Sequence, residues 1–130
     1  KKNTKTSIHE EIFPEIPEKW KNENLLKKWE KLLSIRQQVN IAIEEKRSSK
    51  IIGSSLEADV DITLPQAEFD LLQEIDAQEF FITSNVVQNI SKEKNISINV
   101  KKAKGTKCSR CWKIVKNVKE NKCSRCYSVK

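Results

Sequence analysis

The sequence contains no methionine, and it has only one histidine, one tyrosine, two glycines and three prolines. A chain without Met does not begin at a translation start, so the expectation is a piece of a longer protein. The lone His9 has no Cys, Asp or Ser at a recognisable spacing, which leaves it without a catalytic or metal-binding role. No apolar run approaches the ~20 residues of a membrane-spanning helix, and no N-terminal stretch resembles a secretory signal. Hydrophobic residues make up 37% of the 130 and charged residues 33%, so any core has to be concentrated in a few elements.

What the chain does have stands near its end. All four cysteines occur in Cys108-Ser-Arg-Cys111-Trp112 and Cys123-Ser-Arg-Cys126-Tyr127, with eleven residues, 112–122, between the pairs. Each Cys-x-x-Cys turn sets two sulfurs on one side of a tight knuckle, and two such turns can surround one tetrahedral ion. Zinc fits best, because four thiolates satisfy it and leave no open position for a substrate; such a site is a scaffold, not a source of activated water. The intervening loop is a little shorter than usual ribbon spacing. Two other readings compete. A redox dithiol would need one Cys-x-x-Cys beside a βαβ pattern, and a disulfide framework would need a secreted chain. Thiols kept for metal point to a reducing compartment, the cytoplasm.

Charge divides the chain in two. Residues 101–130 carry eleven Lys or Arg and one acid, Glu120, whereas residues 1–100 carry fourteen basic and seventeen acidic residues. A strongly basic knuckle with Trp112 and Tyr127 reads as an electrostatic footprint for nucleic acid. The plainer alternative is a solubilising Lys-rich tail, with Trp112 capping a tiny core.

Upstream, Lys1–Thr6 are expected to be disordered. Ile12, Phe13, Ile16 and Trp20, broken by Pro14 and Pro17, are expected to lie as a loop over a hydrophobic groove. Residues 24 to about 50 predict a long helix, capped by Asn24, with Leu25, Leu26, Trp29, Leu32, Leu33, Val39 and Ile43 on one face and Ile35, Ile41 and Ala42 elsewhere. Arg36 and Asn40 lie near the middle of that apolar face and are expected to be satisfied internally. Ala58, Val60, Ile62 and Leu64 alternate with Asp59, Asp61 and Thr63, which predicts a half-buried strand with the aspartates on a solvated edge. Pro65 opens a short helix, 80–84 reads as a buried strand, 85–93 is weakly patterned, and 96–100 alternates as a strand leading to a basic linker at 101–107. The fold class is therefore α+β: a long helix with more than one apolar side, which belongs in a bundle, packed with a small mixed α/β layer and followed by a four-cysteine zinc ribbon or knuckle. The divisions fall at 1–50, 51–104 and 105–130.

Four stretches together resemble the C-terminal end of bacterial-type isoleucyl-tRNA synthetases. They are Ser7-Ile8-His9 with Phe13-Pro14, Arg36-x-x-Val39-Asn40-x-Ala42-x-Glu44-x-x-Arg47, Gly53-Ser54-Ser55-Leu56-Glu57-Ala58, and the knuckle from Gly105-x-Lys107-Cys108 to Cys126. The helix pattern alone is loose, since valyl and leucyl relatives have similar helices; with the knuckle it is specific. The resemblance implies a share in charging isoleucine tRNA from ATP and isoleucine, as the end of the anticodon-binding region and its zinc knuckle. The HIGH and KMSKS signatures of the catalytic fold are absent, so the fragment itself is expected to be non-catalytic, a partner to upstream catalytic and editing domains. Arg110 and Arg125, at matching places in the two knuckles, are the first candidates for tRNA contacts, followed by Lys107, Trp112, Lys113 and Tyr127. Otherwise those arginines pair with the thiolates or Glu120.

Two further alternatives stand beside this. The zinc finger of formamidopyrimidine-type DNA glycosylases is a cousin of the knuckle, although that class needs an N-terminal proline nucleophile and this chain starts with Lys1. A free-standing zinc ribbon could instead bind nucleic acid or an acidic protein surface.

Overall fold

The computed structural model describes residues 7–10 and 12–129. The expectation for Lys1–Thr6 lies outside them. The chain is α+β, as its pattern predicts, and its long helix α1 spans Glu23–Ser48. Asn22, not Asn24, caps it: Asn22 holds extended backbone, and its side chain accepts the Leu25 N–H at 3.0 Å. Asn24 already lies in the first turn, where its own amide is one of the donors needing a cap.

The buried face of α1 consists of Leu32, Ile35, Val39 and Ile43, at spacings of three and four. This corrects the expected face in two ways. Ile35 is in the core at 2% exposure, while Leu25, Leu26, Trp29 and Leu33 are 40–55% exposed. Leu33 lies between buried Leu32 and Ile35 and is exposed because it faces away from the sheet; for Leu25 and Leu26 the reason is length. Twenty-six helical residues rise about 39 Å, whereas strands of six or seven residues reach only ~20–23 Å. The first turns of α1 therefore project beyond the sheet they share a chain with. Arg36 lies with its guanidinium 5.4 Å from the centre of the Phe80 ring, in an aromatic cluster with Trp29 and Phe81. Its Nε is buried and has no hydrogen-bond partner among the described residues; Asn40 is exposed.

The sheet has the order β2-β1-β3. Strand β1, Ala58–Leu64, is central, and its even-numbered residues Ala58, Val60, Ile62 and Leu64 are fully buried beneath the helices. Helices α2, Gln66–Gln73, and α3, Ala77–Phe81, form the crossover that lets β2, Asn85–Ile90, run parallel to β1. Strand β3, Ser97–Lys102, pairs antiparallel on the other side. One core unites α1, β1, Leu72, Ala77, Phe81 and Val100.

Three local expectations change. The stretch 80–84 is not a strand: Phe80 and Phe81 complete α3, Ile82 terminates it in left-handed backbone at φ 56°, and the strand follows at Asn85. A short apolar run does not distinguish helix from strand by periodicity. Asp76 decides the matter, because its carboxylate accepts the N–H groups of Gln78 and Glu79 and so starts a helix. The aspartates are not at an edge. They lie on the outer face of the central strand, where Asp59 accepts from Asn85 at 3.0 Å and Asp61 from Asn89 at 2.7 Å. Nor is 101–107 a linker, since Lys101 and Lys102 extend β3 and Thr106–Lys107 form β4.

The apolar strip at 12–20 covers no groove of this chain. Ile12, Phe13, Ile16 and Trp20 are 90%, 96%, 72% and 70% exposed. Pro14 and Pro17 keep the segment extended apart from one 3-10 turn at Glu18–Trp20, where Trp20 borders an open hollow of about 520 Å³ with Leu25, Leu26 and Trp29 without filling it.

Candidate metal centre

Strand β4, Thr106–Lys107, pairs antiparallel with β5, Ile114–Val115, and the first Cys-x-x-Cys is the turn between them. The Cys108 N–H donates to Lys113 O and the Trp112 N–H to Cys108 O, closing the turn around left-handed Trp112 at φ 65°. A second tight turn places Glu120 and Asn121, both at positive φ, between Lys119 and Lys122, the pattern of a type I′ hairpin. Cys123 then leads into α4, Ser124–Ser128, which carries Cys126. The Ser109 N–H donates to Asn121 O at 2.8 Å, so the two knuckles are tied to each other directly.

All four sulfurs converge within 4.8 Å of one another, and Cys111 and Cys123 approach to 3.7 Å. Tetrahedral coordination at the usual zinc–thiolate length of ~2.3 Å separates ligand sulfurs by about 3.8 Å. The donor set therefore fits a four-sulfur metal site. Three of the four cysteines are buried, and with Val115 they form a small cluster of their own. The thiols are electrostatically unequal. Backbone N–H groups of Cys111 and Cys123 converge on Cys108 and pull it down to about 5. Burial, reinforced by the neighbouring sulfurs, pushes Cys126 up to about 12, and burial also raises Cys111. A divalent ion replaces the protons of such a cluster and makes all four sulfurs thiolates.

The surrounding cations have distinct surroundings. Arg125 and Lys113 both reach Glu79 at the start of α3, at 2.9 and 2.8 Å. Arg110 donates to the carbonyls of Val129, at 3.1 Å, and Cys126, at 3.5 Å, so it folds back over the chain's own end. Trp112 is 61% exposed with the Lys107 ammonium 5.6 Å from its ring centre, and Tyr127 is 40% exposed beneath Lys119 at 4.6 Å. Among the sequence candidates, Lys107, Trp112 and Tyr127 present themselves outward, while Arg110, Lys113 and Arg125 also hold parts of the fold together.

Two residues that sequence reasoning missed attach the knuckle to the α/β layer. Glu79 is one; its carboxyl is held below the ordinary value by the Lys113 hydrogen bond and charge, with Arg125 adding to them. Ser84 is the other. Its buried hydroxyl donates to Leu56 O and accepts the Ile114 N–H from β5. The Asp76-x-x-Glu79 capping pattern was visible in the sequence, but nothing there pointed to the pairing across 34 and 46 residues.

No family model matches the chain. Among curated relatives, it is 46% identical over 110 residues to the isoleucine–tRNA ligase of Pelagibacter ubique, 37% over 106 residues to that of Zymomonas mobilis, and 40% over 115 residues to that of Fervidobacterium nodosum. These alignments cover 85%, 82% and 82% of this chain, and the chain spans only 12%, 11% and 13% of the respective relatives. Over most of its length the chain thus corresponds to the C-terminal region of isoleucine–tRNA ligases.

Proposed function

We propose that this chain is the tRNA-holding end of an isoleucine–tRNA ligase, which joins L-isoleucine to its tRNA with ATP cleaved to AMP and diphosphate. Its ion is a structural Zn²⁺, bound by Cys108, Cys111, Cys123 and Cys126. The observation that carries the reading is Trp112: a large aromatic, 61% exposed on a metal-built knuckle, flanked by Lys107. An aromatic face beside a cation stacks on an unpaired base while the ammonium neutralises phosphate. Tyr127 with Lys119 repeats the arrangement. Arg110, Arg125 and Lys113 serve the same surface, partly by contact and partly by fixing its shape. Held there, the anticodon side of the tRNA is oriented so that its acceptor end reaches an active site elsewhere in the enzyme.

The division of labour follows 1–50, 51–104 and 105–130. The exposed apolar residues of 12–20 and the first turns of α1 receive the upstream part of the parent enzyme, and the layer 51–104 carries the knuckle. None of the described helices is long and apolar enough to cross a membrane. Work on tRNA assigns the enzyme to the cytoplasm.

The test is binding of isoleucine tRNA and an unrelated tRNA to the zinc-loaded chain at physiological salt, repeated after chelation. Zinc-dependent preference for isoleucine tRNA is the expected result. Equal binding of both would reduce the knuckle to a general RNA-binding module, and displacement of tRNA by an acidic polypeptide would favour a protein partner.

A further inference from the structure

A cleft of about 570 Å³ opens where the end of β3 meets the β4–β5 hairpin. Its polar wall consists of Lys101, Lys102, Lys104 and Lys116, with Asp59 and Asn85 at one end. Four lysines therefore line a cleft that holds one carboxylate; Lys101 stands opposite Asp59 across the β1–β3 pairing, Lys102 lies on the other face of β3, and Asp59 already accepts a hydrogen bond from Asn85. Among the described residues, none of the four lysines is in an ion pair, whereas Lys113 and Arg125 on the same knuckle are both paired with Glu79. Like charges gathered in a concavity repel one another and focus the local potential, so the arrangement favours an anion entering from solution.

The cleft is also built on fixed backbone. Its floor is the tether already described, in which the Ser84 hydroxyl joins Leu56 O to the Ile114 N–H. Ala103 donates to Glu57 O at 2.8 Å, which pins the backbone between Lys102 and Lys104. Gly105, at φ 142°, passes so close to β5 that a Cβ there would lie 2.3 Å from Val115 O. Only glycine permits that approach, which holds Lys104 and Lys116 on opposite sides of one narrow junction.

We propose that this cleft is a phosphate-binding subsite for RNA backbone, separate from the aromatic face of Trp112 and Tyr127. Lysine suits the task as a compact point charge that needs no planar partner. The chain continues from Lys104 through Gly105 directly into β4 and Lys107, which stands over Trp112. One strand of RNA can therefore leave a stacked base and place its backbone in the cleft. The proposal rests on the RNA-binding reading above and adds to it where the backbone runs.

The experiment measures the affinity of the zinc-loaded chain for isoleucine tRNA across a salt series. It compares the wild type, the triple variant Lys101→Ala/Lys104→Ala/Lys116→Ala, Trp112→Ala, and the control Lys27→Ala/Lys31→Ala on α1. Metal content and far-ultraviolet dichroism confirm that each variant is folded. Each lost phosphate contact removes roughly 0.7–0.9 from the slope of log affinity against log salt, so two lost contacts make the triple variant shallower by about 1.4–1.8. Trp112→Ala is expected to weaken binding at every salt concentration with its slope retained, and the α1 control to match wild type. A wild-type slope in the triple variant overturns the cleft and leaves the RNA reading standing. An equal loss in the α1 control also overturns it, since any lysine would then serve. Absence of tRNA binding by the wild type overturns both.

Discussion

Replacing Ser84 with alanine removes one oxygen and tests how the knuckle is joined to the rest of the chain. The residue is only 8% exposed, and its hydroxyl connects three segments: Leu56 before β1, the entry to β2, and Ile114 in β5. The variant leaves the Leu56 carbonyl and the Ile114 N–H without this partner at the partly buried floor of the cleft. A neutral hydrogen bond contributes about 1 kcal/mol net, and a stranded buried group costs about 1–3 kcal/mol, so Ser84→Ala should destabilise by about 2 kcal/mol. With a urea slope of about 1–3 kcal/mol/M for a small protein, the unfolding midpoint falls by roughly 1 M. The Ile114 amide supplies the local readout. It is protected by the serine in the wild type, and about 2 kcal/mol corresponds to exchange roughly thirtyfold faster in the variant. A midpoint within about 0.2 M of wild type, together with unchanged exchange at Ile114, would refute the tether.

Two other perturbations address the same architecture. Glu79→Gln removes the carboxylate shared by Lys113 and Arg125; because the Glu79 side chain they share is half exposed, the expected loss is only about 0.5–1 kcal/mol at neutral pH. The Glu79 carboxyl is depressed in the folded state, so its contribution is present above the ordinary value of 4.5 and is lost as pH falls through the lower folded value. The stability gap between wild type and Glu79→Gln should accordingly stay constant above about pH 5 and close in more acid solution, and a gap independent of pH would remove Glu79 from the docking contact. Cys108→Ser should abolish zinc binding and unfold the knuckle while the sheet core persists, because metal affinity in so small a site is folding energy. Metal analysis with amide exchange over 105–129 reads this out, and a variant that keeps both metal and protection would rule out the four-sulfur site.

The four clustered cysteines were legible in the sequence because Cys-x-x-Cys is a local geometry: the short spacing fixes two sulfurs on one knuckle whatever the remaining chain does. The half-buried strand β1 was legible for the same reason, since alternation at Ala58, Val60, Ile62 and Leu64 needs only a sheet with one wet face. The basic end was legible in composition, with eleven Lys or Arg against one acid in residues 101–130. The face of α1 was not legible in full, because both Ile35 and Leu33 fit an apolar stripe, and the short sheet determines which half of the helix is covered. The run Phe80–Ser84 was ambiguous until Asp76 supplied a cap and Ile82 a left-handed stop. Tertiary structure alone brought Glu79 to Lys113 and Arg125, Ser84 to Ile114, and the lysines of two separate segments around one cleft. Such contacts join residues far apart in sequence, and no local propensity encodes which distant charge a lysine will meet. Periodicity and spacing determine what each segment can become, while the packing of segments against one another determines which side chains remain free to bind.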